Sequence, residues 1–372
     1  MSRTTGTENR TIRGVGGSIL RAAMVALVCF VGAIPAGADP GESQEAIACG
    51  RCHTNIHAGW SKSLHAAAST NSIYATAYRK AYVATEGGAA PFCQSCHAPL
   101  AEHDGVTCDA CHTVEKVDLT DTMRPYTRDA AGEKRASLKN AVSPVHKAAY
   151  VEWFNTSQMC AGCHRLVNVD GAVLSSTYDE WKESVYAENN VHCQNCHMTE
   201  TAGAPVDPEK ASTKRTVHND HSLGHSAAGM KGAVKVASVG SAVSTSGRLA
   251  VDLEVTNVKV GHNVPTGSPL RKLLIRVTVN SGAGSMSQEV RLGKTVANAA
   301  GRPLNDAADI YLEGKGLQEN TALKPAETRK LRVMFPTAPK GEYTVTTEAF
   351  LTYDPEVTTR ENMRIPMSVH TR

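Results

Sequence analysis

The chain has 372 residues, enough for two domains of ordinary size, and a formal net charge of +3 at pH 7. Residues 1–38 hold four Arg and one Glu, so the rest of the chain is close to neutral. A near-neutral chain gives no sign of the basic face that nucleic acid would require, so nucleic acid is not among the partners that we expect.

The amino-terminal segment has the features of a cleaved export signal. Basic residues precede an apolar run, Ala22–Ile34, and an Ala-Gly-Ala cleavage site ends at Ala38. The run is shorter than the about 20 residues that cross a bilayer. Val28 stands where a small residue would precede a lipid-anchored cysteine, which disfavours an anchor on Cys29. We expect residues 1–38 to be removed, leaving no membrane span, and the protein to reach the periplasm or the cell surface.

The ten remaining cysteines all fall into five copies of one pattern, Cys-x-x-Cys-His. The copies are CGRCH (49–53), CQSCH (93–97), CDACH (108–112), CAGCH (160–164) and CQNCH (193–197). This pattern is the attachment signature of haem c, because two thiols three positions apart can form thioethers to one haem while the adjoining His reaches its iron. Zinc sites and disulfides also use paired cysteines, but neither explains a His directly after every pair.

The sequence therefore predicts five covalently attached haem c groups. The predicted attachment residues are Cys49, Cys52, Cys93, Cys96, Cys108, Cys111, Cys160, Cys163, Cys193 and Cys196. The predicted proximal iron ligands are His53, His97, His112, His164 and His197.

Residues 39–229 form the predicted pentahaem domain. Only 5% of the chain is aromatic and periodic apolar runs are scarce in this part, so the porphyrins have to fill the core. Short helices are predicted over Ala46–Cys52, Ala58–Ser69, Pro144–Phe154 and Tyr178–Ala187, joined by long loops.

Residues 230–372 have a different character and contain no Cys. The segment RLAVDLEVTNV alternates apolar Leu249, Val251, Leu253 and Val255 with other residues, and later segments continue in β-branched style between turn residues. The predicted fold is α+β: a loop-rich, mainly helical multihaem domain followed by an antiparallel, immunoglobulin-like β-sandwich module.

Each haem iron needs a second ligand if it is to be six-coordinate. The histidines outside the motifs number ten: His57, His65, His103, His146, His192, His218, His221, His225, His262 and His370. Imidazole on both faces gives a low-spin iron that exchanges electrons with little rearrangement, whereas an iron without a second ligand could bind a small molecule.

The run CGRCHTNIHAGWSKSLHAA (49–67) resembles the opening of the cytochrome c-554-type multihaem family, in which Cys-x-x-Cys-His is followed by Trp-x-x-Ser-x-His. The segments CQSCHAPLAEHDGVTCDACH and TYDEWKESVYAENNVHCQNCHM resemble the same family. The resemblance implies that His65 is a distal iron ligand.

A second copy of the Trp-x-x-Ser pattern, WKESVYA (181–187), has Tyr186 where the first has His65. A neutral phenol is a poor ligand for a low-potential haem. Tyr186 then either packs against a porphyrin edge or faces an open iron as a proton donor, which makes it the one candidate catalytic residue.

Three further histidines complete the predicted distal set. His146 precedes the fourth motif, and His221 is favoured within VHNDHSLGH over His218 and His225. His262 lies in GHNVPTGSP, which resembles a turn of β modules appended to such cytochromes and could carry the ring across to a haem. His103 and His192 lie beside attachment motifs and are alternatives for a neighbouring haem.

The function that this pattern favours is electron transfer along closely packed, mostly bis-His haems, with other redox proteins or cytochromes as partners. The β module would be a docking or assembly surface, including assembly into a homo-oligomer or filament. The alternative is an oxidoreductase that acts on nitrite, hydroxylamine or nitric oxide at one five-coordinate haem. An adhesion protein with haems as scaffold is a third, less favoured hypothesis.

Overall fold

The computed structural model describes residues 44–100, 104–121, 124–168, 170–211, 214–223, 230–355 and 364–372. Residues Asp39–Arg372 form one compact unit. The predicted signal segment 1–38, with Cys29, lies outside the described residues, as do His103 and His225. No helix within the described residues is both long and apolar enough to cross a membrane.

Short helices dominate the part of the chain that carries the motifs. They are α1 (Gln44–Gly50), α2 (Thr54–Trp60), α3 (Ser72–Ala84), α4 (Ala90–His97), α5 (Cys108–His112), a 3₁₀ helix (Glu152–Asn155), α6 (Gln158–Ala161), α7 (Thr177–Lys182), α8 (Val185–Glu188) and α9 (Cys193–His197). Four two-stranded sheets connect them: β1 (Val114–Val117) with β2 (Tyr126–Arg128), β3 (Lys134–Ala136) with β4 (Ala148–Tyr150), β5 (Arg165–Val167) with β6 (Val173–Ser176), and β7 (Glu200–Ala202) with β8 (Val217–Asn219).

The predicted helix over Ala58–Ser69 is wrong, because α2 ends at Trp60 and turns follow. Ser63 supplies the reason, since its hydroxyl accepts a hydrogen bond from the Ala66 amide at 3.2 Å and competes with helical pairing. The long helix of this region is α3, which begins where the Asn71 side chain accepts hydrogen bonds from two amides of the first turn.

Two other helix predictions need correction. The segment predicted as the helix Pro144–Phe154 instead contains β4, which pairs in parallel with β3, and then the 3₁₀ helix. The segment Tyr178–Ala187 is helical but broken into α7 and α8. The break lies at Ser184, whose hydroxyl donates to the Trp181 carbonyl at 2.6 Å.

The carboxyl-terminal part is built from two antiparallel sheets. Their strands are β9 (Val234–Val243), β10 (Leu249–Asn257), β11 (Arg271–Ser281), β12 (Gly284–Ala297), β13 (Pro303–Leu304), β14 (Gly316–Asn320), β15 (Thr328–Phe335), β16 (Tyr343–Tyr353) and β17 (Ile365–Thr371). The smaller sheet has the strand order β15–β10–β9. The larger sheet has the order β13–β12–β11–β16–β17, with β14 also paired to β12. The predicted alternation in β10 is confirmed, since Leu249, Val251, Leu253 and Val255 are all fully buried.

Burial explains how the two parts are held together. The largest apolar cluster lies within the carboxyl-terminal part and includes Leu253 of β10 and Ile275 of β11. Two smaller clusters combine both parts: Phe92 packs with Tyr311 of helix α10 (Ala307–Glu313), and Leu174 packs with Val296. Among the described residues no apolar cluster lies wholly within the motif-bearing part, as expected if attached haem fills its interior.

Candidate haem sites

Each Cys-x-x-Cys-His motif is wound into a helical turn. The amide of His53 donates to the Cys49 carbonyl at 2.9 Å, and that of His164 to the Cys160 carbonyl at 3.0 Å. The other three motifs end or form the helices α4, α5 and α9. Because residues three and four apart share one helix face, the turn brings both thiols and the imidazole to the same side.

The motif imidazoles are oriented by backbone carbonyls. The Nδ1 atoms donate to carbonyl oxygens at 2.7 Å in His53 (to Pro205), 3.0 Å in His97 (to Ala68), 2.8 Å in His112 (to Arg135) and 3.4 Å in His197 (to Leu223). A carbonyl only accepts, so Nδ1 carries the proton and Nε2 is the nitrogen that can bind a metal. These four histidines therefore have the tautomer of a metal ligand.

Four motif histidines face a second histidine across a gap. The ring centres are 6.4 Å apart in His53–His146, 6.1 Å in His65–His164, 6.4 Å in His112–His221 and 6.3 Å in His197–His262. Two metal–nitrogen bonds of about 2 Å, with each ring centre roughly 1 Å beyond its nitrogen, require a separation of about 6 Å. The four gaps fit one iron each, and the residues present fit haem.

The second histidines are oriented in the same way as the first. The Nδ1 atoms of His146, His221 and His262 lie 3.1, 2.7 and 2.9 Å from the carbonyls of Lys147, Asn219 and Asn263. Burial lowers the pKa of His221 to about 4 and that of His262 to about 4. A neutral ring is the form that binds a metal.

Comparison with known proteins agrees with this geometry. Residues 48–113 match the family model described as cytochrome c554 and c-prime. The fold is similar to that of a penta-heme cytochrome c552 from Thermochromatium tepidum, with 21% identity and a TM-score of 0.66 over 89% of this chain and 99% of the other. Residues 48–113 thus resemble the cytochrome c554 family, and the chain shares its fold with a penta-heme cytochrome.

Other comparisons add little. A β-glucosidase from Kluyveromyces marxianus shares 14% identity over 37% of this chain and 13% of its own, with a TM-score of 0.14, which carries no argument about the fold. The curated proteins contain no match.

The motif containing His97 differs from the other four in its surroundings. Its imidazole is stacked on Tyr74 of α3, with ring centres 4.1 Å apart and planes 21° from parallel. A ring at that spacing lies beside the imidazole, since a gap of about 6 Å would be needed for an iron between them. Within the described ranges no second histidine ring contacts His97, and His103 lies outside those ranges.

Near this motif lies Tyr311, a residue that sequence reasoning missed. Its side chain comes from α10 of the β module, is 8% exposed, and packs against Phe92 with ring centres 4.3 Å apart and planes tilted by 38°. Burial raises the pKa of Tyr311, and the thiols of Cys93 and Cys96 raise it further. Its hydroxyl makes no hydrogen bond within the described residues. Nothing local in the sequence marks it, because the contact depends on how α10 docks.

Tyr186 lies beside the loop that carries His262. A Cβ added to Gly261 would lie 3.2 Å from Cγ of Tyr186, so the phenol ring packs directly against that glycine.

Both Trp residues of the repeated pattern make the same kind of hydrogen bond. The Trp60 indole donates to the Val106 carbonyl at 2.9 Å, and that of Trp181 to the Val191 carbonyl at 2.7 Å.

The remaining candidate histidines have other surroundings. Nδ1 of His192 lies 3.3 Å from the amide and from the hydroxyl of Ser157, at the start of α9. Nδ1 of His218 lies 3.0 Å from the Gly203 carbonyl on β7–β8. Among the described residues neither the His192 ring nor the His218 ring faces a motif histidine, unlike the rings of His221 and His262.

The motifs lie close to one another. Thiols of different motifs lie near one another in three places: Cys49 beside Cys108, Cys96 beside Cys163, and Cys160 beside Cys193. The buried hydroxyl of Tyr126 lies among the motifs. Its pKa is raised by burial and by the thiols of Cys163, Cys111, Cys160 and Cys96. In the loaded protein these sulfurs would be thioethers bonded to haem. The feature that would persist is the proximity of the motifs.

Proposed function

We propose that this protein is an exported pentahaem cytochrome that passes electrons between redox partners along closely spaced haems. The observation that carries the proposal is the set of four His–His gaps of 6.1 to 6.4 Å. When bound, haem c supplies the one-electron chemistry, and the protein supplies position and axial ligands. Export rests on the sequence of residues 1–38.

The distal ligands in this proposal are His146, His65, His221 and His262, opposite His53, His164, His112 and His197. Their carbonyl-bonded Nδ1 atoms fix the tautomers of three of them, so the rings need no rearrangement when an electron arrives. Rigid, doubly ligated sites favour electron transfer over binding of a substrate at the iron.

Contacts between motifs support a continuous route for electrons. Cys108 of the third motif lies beside the first, Cys163 of the fourth beside the second, and Cys193 of the fifth beside the fourth. Tyr126 lies among cysteines of the second, third and fourth motifs. Since each cysteine binds the edge of its haem, neighbouring haem edges would be close, and hopping between them fast.

The test is electron paramagnetic resonance of the oxidised full-length protein, combined with a haem count per chain. We expect five haems, of which four are low-spin and unchanged by nitrite or hydroxylamine. Fewer than four such centres would contradict the proposed ligand pairs.

A second candidate function rests on the site of His97. Here Tyr74 stacks beside the imidazole, and the Tyr311 hydroxyl is buried without a hydrogen-bond partner among the described residues. An iron at this motif with one protein ligand would be open to a small nitrogen compound such as nitrite, hydroxylamine or nitric oxide. A buried hydroxyl nearby could donate a hydrogen bond to that ligand.

Tyr311→Phe tests this candidate. Removing a hydroxyl that has no partner should change the free energy of unfolding by less than about 1 kcal/mol. If an open iron binds nitrite with help from Tyr311, the variant should bind nitrite several-fold more weakly in a spectroscopic titration. A fifth iron that stays low-spin and ignores nitrite in both proteins would leave electron transfer as the sole function.

A further inference from the structure

A buried ion pair lies where the β module meets the motif-bearing part. Lys294 of β12 is 3% exposed and Glu180 of α7 is 11% exposed, and the lysine Nζ contacts the Oε1 atom of the glutamate. Nζ also donates to the hydroxyl of Ser175 at 2.7 Å. Burying two charges costs free energy even when they are paired, so such a pair is weak evidence of stabilisation and suggests a positional role.

The other oxygen of Glu180 holds the loop that carries His262. Oε2 accepts hydrogen bonds from the Asn263 amide at 3.2 Å and from the Thr266 hydroxyl at 2.5 Å. The Thr266 hydroxyl is also 2.8 Å from that of Thr177 at the start of α7. One carboxylate thus binds this loop at Asn263, the residue after His262, and again at Thr266.

Two further residues contact the same loop. The amide side chain of Asn257, which is fully buried, donates to the His262 carbonyl at 3.1 Å. The Tyr186 ring packs against Gly261. The His262 ring then faces His197 with the two ring planes only 12° from parallel.

We propose that the Glu180–Lys294 pair is a positioning device that holds the loop so that His262 reaches the iron of the fifth motif. This proposal rests on the proposed ligation of that iron by His197 and His262. The β module is then an integral part of one haem site, in addition to any role in docking. Lys294 orients the carboxylate, and the carboxylate orients the loop.

The chain offers a matched control. Lys315 and Asp170 also form an ion pair between the two parts, but their side chains are 50% and 48% exposed and neither is bonded to the loop of His262. If ion pairs matter only by joining the two parts, Asp170→Asn and Glu180→Gln should behave alike. If loop position matters, only Glu180→Gln should alter the fifth haem.

The experiment compares Glu180→Gln, Thr266→Val, Asp170→Asn and His262→Ala with the wild type, all as haem-loaded full chains. The measurement is the fraction of low-spin iron by electron paramagnetic resonance, with cyanide as the probe of an opened iron. We expect His262→Ala to convert one iron per chain to a cyanide-binding form. Glu180→Gln should convert part of that same iron, Thr266→Val a smaller part, and Asp170→Asn none.

Two results would overturn the proposal, and they differ. If His262→Ala changes no iron, the proposed ligation itself fails. If His262→Ala opens one iron while Glu180→Gln and Thr266→Val match the wild type and Asp170→Asn, the ligation stands and the positioning role fails. Thr266→Val keeps the ion pair intact, so it remains informative if Glu180→Gln does not fold.

Discussion

His65 and Tyr186 occupy equivalent positions in two copies of a Trp-x-x-Ser pattern, yet their surroundings differ. The His65 ring faces His164 across 6.1 Å. Tyr186 packs against Gly261, next to His262, whose ring faces His197 of the fifth motif. We infer that in the second copy the ligand comes from the loop, and that the tyrosine supports that loop. The candidate catalytic role of Tyr186 stays a prediction.

Gly105 constrains the position of His65. Its φ of +69° is in the left-handed region, and an added Cβ would lie 2.8 Å from the His65 carbonyl and closer still to that of Ala66. Gly105→Ala should therefore cost about 1–3 kcal/mol of unfolding free energy. It should also weaken ligation by His65, which would be measured as loss of one low-spin signal.

Gly282→Ala is the control for that substitution. Gly282 has nothing within 4 Å of an added Cβ, and its backbone is outside the left-handed region. Its thermal unfolding and its spectrum should match the wild type. Equal behaviour of the two variants would contradict the tight packing inferred around His65.

At the scale of elements, the docking of α10 on α3 and α4 joins the two parts. Phe92 and Tyr311 share a buried cluster, and Lys80 of α3 forms ion pairs with Asp306 and Asp309 at 3.1 and 2.7 Å. The ion pairs are about half exposed and contribute little, so the apolar cluster should dominate.

Phe92→Ala should lower the unfolding free energy by about 3–5 kcal/mol, because it empties a buried site between the two parts. Val83→Ala on the exposed side of α3 is the matched control, since Val83 is 73% exposed and its truncation should cost under about 0.5 kcal/mol. Denaturant unfolding followed by circular dichroism measures both. A small cost for Phe92→Ala would mean that α10 is only loosely docked.

Elements with a local signal could be predicted from the sequence, and others could not. The strand β10 was accessible because alternating Leu and Val residues specify one buried face. The helices were less accessible, because serine hydroxyls at Ser63 and Ser184 redirect the backbone by bonds that hydrophobic periodicity does not register. The strand β4 forms through parallel pairing with β3, which depends on tertiary structure.

At the scale of the whole molecule, the motifs were predictable, and the pairing of each motif histidine with a second histidine was not. Five Cys-x-x-Cys-His motifs identify attachment sites by spacing alone. The partner of each motif histidine depends on the path of the chain: His146 faces His53, about ninety positions earlier, and His262 crosses from the β module. The contacts of Glu180, Lys294 and Tyr311 could not be predicted for the same reason, since each of these residues contacts the other part of the chain.

We propose that four irons are each held between two histidines. An experimental structure of the haem-loaded protein, at a resolution that shows axial ligands, tests it most directly. We predict iron between His53 and His146, His65 and His164, His112 and His221, and His197 and His262. A different protein ligand, or none, opposite any of these four motif histidines would contradict the claim.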